Sequence, residues 1–230
     1  MPLSANLVVV ALITVVLAFW IAAWRAGRRP GARAVVLSLA FLDLALVIGP
    51  IETITGLLTP AATLWGVFGV HVFALIAGYW LVIFCRLDAS LPAKRELWLL
   101  AVALLVLFGL FLVGPVSEHL DTVSSAYGDK PFVLPYLLVF AVYLARVQVD
   151  VAIMSARRWS VNWGARLRTV GAVVGALFCL HRALYTLLIM VGVQPPWPDY
   201  GATGVGNLLL ILAVVVQLAG IMAVRREYAA

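Results

Sequence analysis

Seven apolar runs, each close to the length that crosses a lipid bilayer, follow one another along this chain with little sequence between them. A helix needs about 20 residues to span the roughly 30 Å hydrocarbon layer. The runs fall near residues 5–24, 35–58, 63–86, 97–115, 132–154, 169–193 and 202–224, which leaves little else in 230 residues. Charged residues make up 11% of the chain, against roughly a quarter of a soluble domain, so water is not its main solvent. The pattern predicts an all-α, polytopic membrane protein. Residues 1–230 form a single transmembrane domain, a seven-transmembrane-helix bundle.

The basic residues predict how such a bundle sits. Of the 16 lysines and arginines, Arg25, Arg28, Arg29, Arg33, Arg86, Lys94, Arg95, Arg157, Arg158, Arg166, Arg168, Arg225 and Arg226 fall toward one side, and only Lys130 falls on the other. Arg146 and Arg182 lie inside runs. Basic loops stay in the cytoplasm, so the chain is expected in the cell membrane, multi-pass, with its N-terminus outside and its C-terminus cytoplasmic. The formal charge of +6 then belongs to topology: the lipid bilayer is the expected partner, and nucleic acid is not. The first run has no basic residue before it and several after it, which marks a retained helix rather than a cleaved signal peptide.

The breaks add detail. Thr59-Pro60-Ala61-Ala62 separates the second run from the third as a tight hairpin, and the outer loop near 116–131, with Glu118, Asp121 and Asp129, is too short for a domain. Trp20, Trp24, Trp98, Trp159 and Trp163 fall near cytoplasmic ends, and Trp65 and Trp197 near outer ends, as interfacial anchors. Trp80 is the exception, inside its run. Cys85 and Cys179 sit in apolar sequence and are expected as free thiols. Seven spans also suit three helices, a linker and three more, the parallel-repeat plan of small sugar transporters, although the two halves share no residue-level repeat.

A charge in the hydrocarbon costs roughly 3 kcal/mol or more, so each is expected to face the bundle interior with a partner. Sorted by depth, an outer layer holds Glu52, His71, Tyr136 and Asn207. Glu52 stands out because Pro50 frees a backbone carbonyl and bends a helix where this carboxylate would enter a cavity. The bland alternative is a Glu52 close enough to the outer surface to be solvated. A middle layer holds Tyr143, Arg146, His181, Arg182 and Tyr185, in which Tyr185 can share a helix face with His181 or Arg182. That cluster suits an anionic head group or a carboxylate, or else a helix-to-helix polar clamp with Arg182 on Glu52 or a backbone carbonyl. The inner layer holds Asp43, Asp150 and Gln217. Arg146 and Asp150, one turn apart, are expected as a structural ion pair.

The candidate ligand-binding residues are therefore Glu52, His71, Tyr143, His181, Arg182, Tyr185 and Asn207. Several chemistries fail on inventory. Lys94 and Lys130 are the only lysines, which excludes a retinal Schiff base on the seventh helix. No metal-ligand spacing, phosphate-binding Gly loop or Gly-x-Ser-x-Gly elbow is present, and no cofactor or metal is expected. Gly171 and Gly175 form a small-xxx-small pair that reads as helix packing.

Gly49-Pro50 with the following Thr55-Gly56, the Pro135-Tyr136-Leu137-Leu138-Val139 start of the fifth run, and Leu167-Arg168 leading through Gly171 and Gly175 to Tyr185 resemble an actinobacterial seven-helix family assigned as transporters. The resemblance spans about Gly49 to Val193 and implies a bacterial membrane transporter. Members usually carry a further C-terminal domain of unknown function, which is expected to be missing here. The leading hypothesis is a polar intramembrane cavity that binds or transports a small molecule, with Glu52 exchanging a proton or cation and Arg182 holding an anionic group. A second hypothesis is an intramembrane enzyme on a prenylated, lipid-soluble substrate, since the chain is similar in size and topology to small membrane terpene cyclases. Glu52 would then be the catalytic acid, with Asp43 or Asp199 as partners, but the Asn and Trp that precede the acid in those cyclases are absent. A third is a sensor or membrane subunit, docking a protein partner or anionic lipid through Arg157, Arg158, Arg166 and Arg168.

Overall fold

All seven apolar runs are helical in the computed structural model, which describes residues 3–27, 29–55, 60–113, 133–160, 162–193 and 204–229. At several helix ends only the backbone is described. The helices are α1 (Leu3–Gly27), α2 (Pro30–Thr55), α3 (Pro60–Asp88), α4 (Lys94–Val113), α5 (Val133–Ala156), α6 (Trp163–Met190) and α7 (Val205–Ala229). Each is long and apolar enough to cross a membrane. The side chain of Glu52 and all of Glu118, Asp121, Asp129, Lys130, Trp197 and Asp199 lie outside the described residues.

The helix ends follow from local chemistry. Prolines open α2 and α3 at the first helical position, where a missing N–H costs nothing; Pro60 and Ala61, expected in the hairpin, are thus the first turn of α3. α6 starts at Trp163 rather than near 169 because Asn162 caps it, its Oδ1 accepting from the Gly164 N–H at 2.7 Å. Arg166 and Arg168 are therefore helical.

α3 closes in a left-handed turn. The Leu91 N–H donates to the Arg86 carbonyl at 2.8 Å and the Ser90 N–H to that of Leu87 at 3.1 Å, with Ser90 at φ 55°. Gly192, at φ 76°, ends α6 the same way, with the Val193 N–H on the Leu188 carbonyl at 2.9 Å.

Packing runs α1 on α2, α2 on α3, α3 on α5, α5 on α6, α6 on α7 and α7 back on α1, a closed ring of six. α4 stands outside the ring against α3 and α5. Its Leu97, Trp98, Val102, Leu105 and Leu112 are exposed, an apolar outer face suited to lipid. The ring thus consists of the first three and last three helices, with α4 between them in sequence.

α6 and α7 pack closely because Gly164 faces Gly220: a Cβ on either would lie 2.8 Å from the other's carbonyl oxygen. Trp20 departs from its expected interfacial role. α1 continues past it to Gly27, and its indole is fully buried, edge-on to Phe84 of α3 at 6.2 Å. Trp65, Trp98, Trp159 and Trp163 are exposed. Cys85 and Cys179 are buried free thiols.

Candidate functional site

A cavity of ≈ 360 Å³ lies between α2, α3, α5, α6 and α7. Small residues make the room: Ala45 on α2, Ala74, Ala77 and Gly78 on α3, Gly175 on α6, and Gly206 and Ala213 on α7 all line it. Most of the wall is apolar, with Leu42, Leu46, Phe140, Leu144, Phe178 and Leu210 among the larger side chains. The volume lies within the range of small-molecule sites, roughly 300–1,000 Å³.

Polar groups enter this cavity at two levels. Toward the end where α7 begins stand His71 of α3, Arg182 of α6 and Asn207 of α7. His71 Nδ1 lies 2.8 Å from the hydroxyl of Tyr136, a fully buried residue of α5. The His71 ring also packs against Phe140 at 4.4 Å, so two α5 aromatics set its orientation. A smaller space of ≈ 50 Å³ between α5 and α6 shares His71, Phe140, Phe178 and Arg182 with the main cavity, and adds Thr186.

At the opposite end the lining includes Gln148 of α5 and Gln217 of α7, whose amides meet: Gln217 Nε2 donates to Gln148 Oε1 at 2.6 Å. α6 runs between those helices and has no side chains in the way. A Cβ at Gly171 would lie 2.6 Å from Gln217 Cγ, and one at Gly175 would lie 2.7 Å from the Gln148 amide carbon. Gly171 and Gly175 therefore serve two different neighbours. Ser38 of α2, nearby on the wall, donates its hydroxyl to the Ala77 carbonyl at 2.9 Å.

His71, Arg182 and Asn207 thus converge, from three helices, on one cavity. Tyr143, His181 and Tyr185 do not line it. Tyr143 is buried within electrostatic reach of Arg146, Glu96 and Tyr79, while His181 and Tyr185 face each other with ring centroids 6.1 Å apart. Helical spacing places several residues of α6 within one turn of Arg182 but only some of them point inward. Asp43 is also absent from the lining; its carboxylate accepts from Thr14 of α1 at 2.9 Å.

Two networks of ion pairs form at the basic end of the bundle. Glu96, only 1% exposed in the first turn of α4, takes Arg86 of α3 at 2.7 Å and Arg146 of α5 at 2.5 Å. Arg146 also contacts Asp150 at 2.6 Å. Arg86 Nη1 donates to the Pro92 carbonyl at 3.0 Å, tying down the α3–α4 turn. In the second network Asp88, at the end of α3, meets Arg158 at 2.9 Å and Arg168 at 3.1 Å. The Arg168 guanidinium, 2% exposed, also stacks over Phe84 at 5.1 Å.

These contacts change the standing of the basic residues in the connections. Arg158 and Arg168 are engaged with Asp88, and Arg166 donates to the Trp159 carbonyl at 2.7 Å. Three of the four arginines considered for docking a partner thus have a partner within the chain, although only Arg168 is buried. Sequence reasoning passed over Glu96, Asp88 and Gln148. The first two sit at helix ends, where an acid looks solvated; a buried carboxylate is signalled only by the unusual number of arginines around it. Among the described residues, no group of three or more His, Cys, Asp or Glu is arranged to hold a metal ion. Comparison with family models, with curated proteins and with solved structures yielded no match.

Proposed function

We propose that this chain is a multi-pass membrane protein, N-terminus outside, whose central cavity binds a small amphiphilic anion such as an apolar carboxylate. The observation that carries this is the convergence of His71, Arg182 and Asn207 on an otherwise apolar cavity of ≈ 360 Å³. An apolar wall with a few placed polar groups is the usual make-up of a small-molecule site. A guanidinium fits a carboxylate in two parallel hydrogen bonds.

Glu52 deepens the same reading. On α2 it follows Ala45 by seven residues and Pro50 by two, toward the end of the bundle where α7 begins. There its carboxylate would exchange with the anion for Arg182 and carry a proton, which couples ligand binding to proton movement. The apolar wall takes the ligand's hydrocarbon part, and the amides of Gln148 and Gln217 close the far end.

The test is binding of medium-chain fatty acids to protein in nanodiscs. Wild-type protein is expected to bind saturably. Arg182→Gln is expected to weaken affinity by about tenfold to a hundredfold, the range for a charge-assisted hydrogen bond, and Arg182→Lys to recover part of it. Equal binding by wild type and Arg182→Gln would overturn the proposal. Proteoliposome uptake and product analysis of a prenylated substrate then separate transport from conversion.

A further inference from the structure

At the basic end a second hollow of ≈ 760 Å³ opens between α1, α2 and α3, lined by Trp24, Arg25, Pro30, Arg33, Trp80, Ile83 and Leu87. It shares no lining residue with the central cavity. We propose that this groove binds the phosphate of an anionic phospholipid, with the lipid's glycerol and upper chains along its apolar wall.

The groove combines two arginines with a lining that has no acid. Arg86, Arg146, Arg158 and Arg168 each have a carboxylate within 3.1 Å. Arg25 and Arg33 are exposed and make no ion pair among the described residues, and no acidic side chain lines the groove. Two guanidiniums on adjacent helices facing one hollow, with no internal counter-charge, fit a phosphate, which each can grip in a fork.

The rest of the lining identifies a lipid as the source of that phosphate. Trp24 and Trp80 are half-buried indoles, and Ile83 and Leu87 continue the wall along α3. Indoles favour the headgroup level of a bilayer, and basic pockets between transmembrane helices take lipid head groups. A free phosphate would use the arginines and leave this apolar wall wet. Trp80, which has no interfacial position in the sequence, finds its place here beside Trp24.

The probe is palmitoyl-oleoyl phosphatidylglycerol mixed into phosphatidylcholine nanodiscs, with retained lipid counted by native mass spectrometry. Wild-type protein is expected to retain phosphatidylglycerol selectively. Arg25→Gln with Arg33→Gln is expected to lower that retention about thirtyfold, taking about one surface-charge contribution per arginine. Arg157→Gln, an exposed charge elsewhere at the basic end, should leave it unchanged. Because removing two arginines also weakens the topology signal, Leu87→Trp provides a second variant that adds bulk to the apolar wall where the lipid would lie and keeps every charge; it too should reduce selective retention. Undiminished retention in Leu87→Trp, or in a folded double variant, overturns the proposal. So does displacement of the lipid by millimolar inorganic phosphate, which would assign the arginines to a soluble anion.

Discussion

Gln148 and Gln217 bond to each other across α6, 2.6 Å apart, at the level where that helix has Gly171 and Gly175. The two glycines differ in what a methyl group would strike. At Gly171 it would come within 2.8 Å of the Gln217 backbone nitrogen and 3.2 Å of the Ala213 carbonyl, so α7 itself must shift. At Gly175 the three nearest atoms all belong to the Gln148 side chain, which can swing away. Gly171→Ala is expected to destabilise by about 1–3 kcal/mol as an overpacked helix seam, and Gly175→Ala by about 1 kcal/mol through loss of the amide bond. Gly109 on α4 has nothing within 4 Å, so Gly109→Ala should be neutral or gain up to about 1 kcal/mol in helix propensity. Thermal unfolding in detergent ranks the three.

Glu96 joins α3, α4 and α5 through Arg86 and Arg146. Removing one partner of a buried ion pair strands the others, at a cost of about 3–5 kcal/mol. Glu96→Gln keeps the shape and loses the charge, and is expected to fall in that range. Asp150, the more accessible acid on Arg146, is expected to contribute less than about 1 kcal/mol, the value for exposed pairs. Denaturant unfolding of Glu96→Gln and Asp150→Asn should therefore separate them clearly, and equal losses would contradict this assignment of burial.

Ser90 holds φ 55° in the turn that closes α3, a conformation that costs a side-chain-bearing residue about 1–2 kcal/mol. The turn is kept because it satisfies the last carbonyls of α3 and because Arg86 reaches over it to Pro92. Ser90→Gly is expected to stabilise the protein by about 0.5–1 kcal/mol without altering ligand binding. A raised melting temperature with unchanged fatty-acid affinity is the outcome to look for.

Seven helices are legible in the sequence because hydropathy over twenty residues is a local property, and bilayer thickness sets the length. The contact between Arg146 and Asp150 is local too, one turn along a helix. Glu96 lies 50 positions from Arg146, and nothing in the chain marks it as their common partner until α3, α4 and α5 are packed. Arg168 illustrates a second limit. A basic residue at a helix end counts equally toward topology whether it is exposed or, like Arg168, buried under Phe84. A third limit is rotational. Helices apolar on every side show no stripe to orient them, so spacing alone cannot separate Arg182, which lines the cavity, from His181 beside it, which does not. Facing direction is not readable from the sequence.

Facing direction is also what Tyr136 controls. Its hydroxyl is 2.8 Å from His71 Nδ1, and the residue is fully buried. Tyr136→Phe removes one hydrogen bond and little volume, so stability should fall by about 0.5–1.5 kcal/mol. His71 would remain against Phe140 but lose the contact that fixes which ring nitrogen faces the cavity. Fatty-acid affinity is then expected to fall several-fold in Tyr136→Phe, in excess of any change in His71→Leu/Tyr136→Phe relative to His71→Leu. That comparison is a double-mutant cycle: a coupling between the two residues supports Tyr136 acting through His71, while additive losses would mean that Tyr136 serves the packing of α5 alone.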